Sequence, residues 1–229
     1  EIYPFTAVLF ARESTIAMPL ALRHYHPTGP ATNMSDSTPT PEESARTWDA
    51  RIGAYVNSLP MELRRDEAYL PQDVAAMSAS AKVKLRRIYG VMDRLSAATE
   101  GYVACQRGCA DCCRMNVTIS AQEARMIAEA SGRIAAPLVT SREHDNREFL
   151  GQPCPFLVDN ACSVYDVRPL VCRSHFSFDT TAHWCAPERS TTVQMKLLRF
   201  SGARRAYDGV VGDGPATIKA DIRDFFPPG

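Results

Sequence analysis

The chain lacks net charge: among its 229 residues, 26 basic side chains balance 26 acidic ones. A neutral surface offers no electrostatic footprint for nucleic acid or anionic lipid, so neither is expected as a partner. Long apolar runs are missing too. The most apolar stretches, Thr6 to Ala11 and Ala17 to Leu22, fall far short of the roughly 20 residues that span a bilayer, and no membrane segment is expected. There is no internal repeat, dinucleotide-binding glycine fingerprint, phosphate-binding loop, nucleophile elbow or His-Glu-x-x-His zinc motif, which removes the usual signatures of the commonest enzyme classes. The stretch Glu1 to Asn33 has no basic n-region, continuous apolar core or small-residue cleavage site, so it is a poor export signal. Met34 stands just ahead of a well-formed helix start, and residues 1–39 therefore read as a flexible tail or a non-native extension. A cytoplasmic location is expected. The most telling gap is in cysteine: the first 104 residues and the last 44 contain none.

What is present is an ordinary globular composition, 45% apolar and 23% charged, with helical patterning at both ends. Thr40-Pro41-Glu42-Glu43 combines an N-cap threonine, proline at the first helical position and glutamate at the third. The apolar stripe Trp48, Ile52, Tyr55, Val56 and Leu59 follows, stopped by Pro60. A longer helix is expected to open at Pro71, carry Val74, Met77, Ala81, Leu85, Ile88, Met92 and Leu95, and end near Gly101. Its one-sided apolar face reads as core. Met115 to Ile119 is short and β-branched, which predicts a strand, and Ser120-x-x-Glu123 is a capping box for a helix ending at Ser131-Gly132. Val193, Leu197, Phe200, Arg204 and Tyr207 predict another helix closed by Asp208-Gly209, and a last short one is expected from Pro215 to Phe226. The expected fold is mainly α, with helices around an irregular cysteine-rich loop region and at most short strands. The organisation follows as a helical segment at 40–100, a cysteine-cluster region at 101–187 and a C-terminal helical segment at 188–229.

All eight cysteines fall between Cys105 and Cys185. Cys105, Cys109, Cys112 and Cys113 occupy nine residues, with Gly108 allowing the backbone to curl; this is chelate spacing, and the adjacent pair cannot easily bridge each other without strain. Cys154, Cys162, Cys172 and Cys185 are more widely spaced and punctuated by Pro153, Pro155 and Pro169. A disulfide framework would suit an even count, but the chain shows no export signal and is long enough to fold without staples. Zinc needs four tetrahedral thiolate or imidazole ligands, and eight cysteines could fill two such sites, although only Cys109 and Cys112 have the two-residue knuckle spacing. An iron–sulfur cluster, such as 4Fe–4S, accepts irregular spacing because the cluster itself spans several ångströms. Spacing leaves zinc and iron–sulfur open. Arg107, Arg114, Arg168 and Arg173 stand beside cysteines and could offset the negative charge of a thiolate site. His175 and His183 flank Cys172 and Cys185 as alternative ligands or as neighbours of the site. Cys105-x3-Cys109-x2-Cys112 also has the spacing of radical S-adenosylmethionine enzymes, but the position before the last cysteine is Asp111 and a long helix, not a barrel strand, precedes it.

Taken in order, the segments resemble the CxxCxxCC or YkgJ-like family of cysteine-cluster proteins. The resemblance is carried by Cys105-x3-Cys109-x2-Cys112-Cys113, the Ser120-x-x-Glu123 helix start, Pro153-Cys154-Pro155-Phe156-Leu157, Cys162-Ser163-Val164-Tyr165, Arg168-Pro169-Leu170-Val171-Cys172-Arg173 and Cys185. It covers about residues 101 to 187. The family's name has two residues between its first cysteines where this chain has three. The resemblance implies metal binding by the cysteines, with zinc or an iron–sulfur cluster as cofactor, and includes larger relatives similar to flagellin lysine methylases. It assigns no reaction, and no S-adenosylmethionine-binding fingerprint supports a methyltransferase-like activity here. Tyr165, Arg168 and Arg173 belong to the motif, where they could orient a substrate, hydrogen-bond to metal-bound sulfur or simply hold the loop. The functional expectation is an iron–sulfur or iron protein serving redox chemistry with a redox or other protein partner; its rival is a zinc-stabilised interaction module.

Overall fold

The computed structural model describes residues 38–106, 108–145, 147–212, 214 and 217–227. Arg107, the tail or extension expected ahead of residue 38, and the expected helix start at Pro215 lie outside the described residues. Seven α-helices are present among those described: α1 (Pro41–Ser58), α2 (Met61–Ala76), α3 (Ala81–Ala97), α4 (Ala121–Ser131), α5 (Leu170–Arg173), α6 (Ser201–Val211) and α7 (Ile222–Phe225). Two antiparallel pairs of short strands complete the fold, β1 (Thr118–Ser120) with β4 (Lys219–Asp221) and β2 (Leu157–Val158) with β3 (Ala161–Cys162). The architecture is mainly α around an irregular cysteine-rich region.

Local chemistry accounts for the helix starts. At α1 the Thr40 hydroxyl accepts from the Glu43 N–H at 3.2 Å while the Glu43 carboxylate accepts from the Thr40 N–H at 2.8 Å, so two otherwise orphaned amides are satisfied. Ser120 and Glu123 do the same for α4, which ends on Gly132 in the left-handed conformation (φ 70°). The expected helix from Pro71 to Gly101 is corrected to two. Pro71 lies inside α2, which begins ten residues earlier at Met61, and the chain leaves the helix between Met77 and Ser80 before α3 starts. Burial of Leu63, Leu70 and Val74 along one face of α2 outweighs the hydrogen bond that Pro71 cannot make.

The C-terminal expectations also shift. Val193 and Leu197 lie outside α6, which starts at Ser201 and passes through Gly209 to end where the Gly212 N–H meets the Asp208 carbonyl at 2.8 Å. A glycine inside a helix costs only about 1 kcal/mol, which packing of α6 on α2 and α3 can offset. The expected terminal helix is shortened to α7, with β4 taking the residues just before it in a register against β1 that pairs Thr118 with Asp221, Ile119 with Ala220 and Ser120 with Lys219. The strand expected at 115–119 is accordingly short and displaced, since β1 pairs only where β4 reaches it. Asp221 then caps α7, accepting from the Arg223 N–H at 2.9 Å.

Two apolar clusters result. The first joins Tyr55 of α1, Leu70 of α2, Leu85, Ile88 and Met92 of α3, and Ala203 and Ala206 of α6 with Phe176, Phe178 and Phe200. It therefore draws on all three stretches separated in the sequence reading. The second gathers Ile119, Ala124 and Ile127 with Phe156, Val164, Ile222, Phe225 and Phe226. Close approach of α6 to α2 depends on Gly202. A β-carbon there would stand 1.8 Å from the main-chain oxygen of Glu67, the carbonyl that Pro71 leaves without its usual helical partner. Gly202→Ala is expected to lower stability by at least about 1–3 kcal/mol, read as a lower urea midpoint with an unchanged slope.

The polar stretch from Pro137 to Gly151 is held without regular structure. His144 Nε2 lies 2.7 Å from Asp224 Oδ2 and Nδ1 lies 2.9 Å from Glu148 Oε2. Hydrogen bonds first to Glu148 and then to Asp224 raise the His144 pKa. With the folded value raised, its stabilisation is fully present below the ordinary histidine value of about 6.5 and is lost as pH rises through the folded pKa. The stability advantage of the native chain over His144→Gln should therefore shrink as denaturation is repeated at increasing pH. An advantage that stays constant would sink the assignment.

Candidate metal centre

Each cysteine is positioned by a turn that the sequence specifies locally. Past α3, Arg51 donates to the Gly101 and Tyr102 carbonyls at 3.0 and 2.9 Å, and the Ala104 N–H to the Ser177 carbonyl at 2.8 Å, steering the chain into the first cysteine loop. Gly108 takes φ 89°, a value that side-chain-bearing residues rarely adopt, and so lets the loop reverse. Cys112 and Cys113 follow on a 3-10 turn, Asp111–Arg114. Asp159 and Asn160, both with positive φ, form the two-residue turn joining β2 to β3, the geometry that suits hairpin twist. That hairpin sets Cys162 opposite Leu157, whose N–H donates to the Cys154 carbonyl at 2.9 Å. Cys172 lies on α5 after Pro169, and Cys185 on a 3-10 turn with His183 and Trp184.

These turns bring all the cysteines but Cys185 onto the wall of one cavity of about 790 Å³. Apolar side chains, among them Val103, Val117, Phe156, Val164 and Ile222, complete the wall. Cys185 is itself buried. None of the eight is paired in a disulfide. Among the described residues no three His, Cys, Asp or Glu side chains already close on one point as a bound ion would draw them. The donors surround a space.

Enclosure keeps most of these thiols protonated. Burial pushes Cys154 and Cys185 up to about 11, and Cys105, Cys162 and, most strongly, Cys172 upward from the ordinary thiol value. Cys113 is shifted downward, first because the Cys112 thiol hydrogen-bonds to it and then because Arg114, Arg223 and Arg168 bear on it. Coordination to a metal deprotonates a thiol outright, so loading this site releases protons. The donor set is soft sulfur throughout, which suits zinc and iron–sulfur chemistry and not magnesium or calcium. Arg168 Nε, on a residue of the cavity wall, and the Ser177 hydroxyl are buried without a hydrogen-bond partner, so each is free to donate to anionic sulfur.

The residues named beside the cysteines fall in different places. Arg168 and Tyr165 line the cavity, with the guanidinium 4.1 Å from the tyrosine ring centroid. Arg173 lies outside the cavity wall. It is buried against the Tyr89 ring at 4.4 Å, donates to the Arg168 and Asp166 carbonyls at 2.8 and 2.6 Å, and pairs with Asp93, which fits the loop-holding role. His175 lines the cavity, and burial lowers its pKa. His183 packs edge-on against Trp184 outside the cavity wall. The partial barrel that a radical S-adenosylmethionine enzyme needs is not found among the described residues, whose sheets have two strands each, and that reading is set aside.

Three supporting elements were not legible in the cysteine motif. Arg223 reaches back from α7 to donate to the carbonyls of Met115, Gln152 and Pro153 at 3.2, 2.5 and 3.3 Å, and to the Asp221 carboxylate at 2.9 Å. Glu123 accepts from the Leu170 N–H at 2.9 Å, directly under the helix that carries Cys172. Both tryptophans anchor the Cys185 segment on α1: Trp48 Nε1 donates to Asp179 at 3.1 Å and Trp184 Nε1 to Ser44 at 2.9 Å. Local signals could identify Glu123 only as a helix cap, and nothing in the pattern around Arg223 points to a cysteine loop.

Residues 104–187 match the model of the CxxCxxCC family, described as a "putative zinc- or iron-chelating domain". No curated protein and no solved structure matches the chain. Among the described residues no helix is long and apolar enough to cross a membrane.

Proposed function

We propose, from the premise that residues 104–187 are a CxxCxxCC metal-binding domain, that its cysteines hold iron as an iron–sulfur centre used for one-electron redox chemistry with a protein partner. The observation that carries this reading is the arrangement of seven thiols, drawn from distant segments, around one cavity of about 790 Å³. An iron–sulfur cluster occupies volume and takes four thiolates at irregular spacing, whereas a single zinc ion draws four ligands to a point. When bound, the cluster supplies an acceptor and donor for single electrons. The chain's own part is to provide the thiolates, to shield them with Phe156, Val164 and Ile222, and to offset their charge with Arg168 and Arg223. A reducing cytoplasmic setting would keep the thiols free.

The zinc alternative draws support from the two-residue spacing of Cys109 and Cys112. Anaerobic purification followed by a visible spectrum and metal and sulfide analysis of one sample separates the two. Brown protein with iron and acid-labile sulfide is the expected result. Colourless protein with stoichiometric zinc overturns the redox reading in favour of a structural or docking module.

A further inference from the structure

We propose that Ser177 is a positioning residue of the metal centre, its N–H holding Cys105 and its hydroxyl donating to the thiolate that Cys185 becomes when metal binds. Ser177 takes this role on the reading above that the cysteines bind metal, and it stands in none of the segments of the cysteine motif.

The serine is fixed before any metal arrives. It stands between Phe176 and Phe178, both part of the first apolar cluster, and the Phe178 ring lies 5.5 Å from that of Tyr55 on α1. Its carbonyl accepts from the Ala104 N–H at 2.8 Å, and its own N–H donates to Cys105 Sγ at 3.3 Å. One residue therefore grips two successive positions at the entry to the first cysteine loop. A closely packed interior yields little, so Cys105 is held where the core places it.

The hydroxyl is left over. Ser177 is 1% exposed, and its Oγ has no hydrogen-bond partner among the described residues. A buried hydroxyl without a partner costs free energy, so an acceptor is called for. Cys185 is the sulfur that this hydroxyl faces. A protonated thiol is a weak acceptor and an ionised sulfur a strong one, and metal coordination converts the first into the second. On Cys105 and on Cys185 alike, burial works most strongly against the thiolate, and Ser177 is the largest influence in its favour.

Ser177 also connects Cys185, the one cysteine off the cavity wall, to Cys105, which lines it. The Cys185 segment is anchored on α1 by Trp48 and Trp184, so both sulfurs meet donors on a single rigid residue. Two donors on two sulfurs offset part of the negative charge that metal-bound thiolates carry. In an iron–sulfur centre, hydrogen bonds to sulfur favour the reduced, more negative state and so raise the potential.

The test uses the full chain, loaded with zinc alone for affinity or, anaerobically, with iron and sulfide for potential. Ser177→Ala removes the hydroxyl and keeps the backbone bond to Cys105. It should bind zinc about 10- to 100-fold more weakly than wild type in competition with a chelator, and its cluster should have a more negative midpoint potential. Ser177→Thr, which restores a hydroxyl, should recover both. Zinc affinity equal to wild type in Ser177→Ala overturns the assignment, and so does a weakened affinity with an unchanged potential, the mark of lost packing alone. If Ser177→Ala does not fold, Ser177→Thr and Ser177→Val, alike in shape and differing in the hydroxyl, are compared by the same readings. Wild-type protein that takes up neither metal overturns the metal-binding reading together with this role for Ser177. Uptake of zinc but no cluster overturns the redox reading alone, and the zinc affinities of the alanine and threonine variants then decide for or against Ser177.

Discussion

Arg223→Met is expected to strip most of the metal from the protein and to lower its stability by about 3–5 kcal/mol, the usual effect of leaving one partner of a buried ion pair alone. The guanidinium is 7% exposed and its Asp221 partner 1%. The same group spans the carbonyls of Met115, Gln152 and Pro153, and so holds the end of the first cysteine loop against the start of the second. Its removal leaves those carbonyls short of a donor, beside Cys113 and Cys154. Arg223→Lys should rescue only part of the loss, because an ammonium is a point charge and cannot span several acceptors as the planar fork does. Metal content per chain and the urea midpoint would be measured on all three proteins. Full metal content in Arg223→Met would show that the loops need no such tie.

Glu123→Ala is expected to cost a similar 3–5 kcal/mol, a large part of the 5–15 kcal/mol that holds a typical domain together. The side chain is 2% exposed. One oxygen accepts from the Tyr89 hydroxyl at 3.0 Å and the Leu170 N–H at 2.9 Å; the other accepts from the Ser120 N–H and hydroxyl and from the Tyr207 hydroxyl. Alanine leaves these donors buried and short of a partner, on α3, α5, α6 and the Ser120 cap of α4 at once. Glu123→Gln keeps the shape but turns an amide N–H₂ toward one group of donors, so a smaller loss of about 1–3 kcal/mol is expected. A result within 0.5 kcal/mol of wild type for Glu123→Ala, the range usual for surface positions, would contradict the hub assignment. Because Leu170 opens the helix bearing Cys172, metal retention should fall with stability in the alanine variant.

The contrast between these two residues shows how far local pattern carries. Ser120-x-x-Glu123 is legible as a capping box because both of its hydrogen bonds close within three residues. The Tyr89, Leu170 and Tyr207 contacts of the same carboxylate span 34, 47 and 84 residues, and no periodicity encodes them. The single helix expected to open at Pro71 failed for a related reason. Its apolar spacing continues smoothly from Val74 to Leu95, and only packing against α6 shows that Leu63 and Leu70 belong to an earlier helix. β4 is three residues long and exists only because β1 is there to pair with it, so the spacing of its own residues reads as helix.

Sequence alone determined the chemistry: eight soft donors confined to one region, the glycine and proline turns that curl their loops, the capped helix starts and the mainly α class. These are decided within a few residues, by backbone preference, side-chain caps and the affinity of sulfur for zinc and iron. The tertiary structure alone decided which cysteines become neighbours, that Cys185 sits apart from the cavity wall, and that Arg223 and Glu123 hold the cysteine segments in place. Such juxtapositions arise when two apolar clusters bury surface contributed by residues far apart in the chain, and burial of apolar area carries no memory of sequence distance.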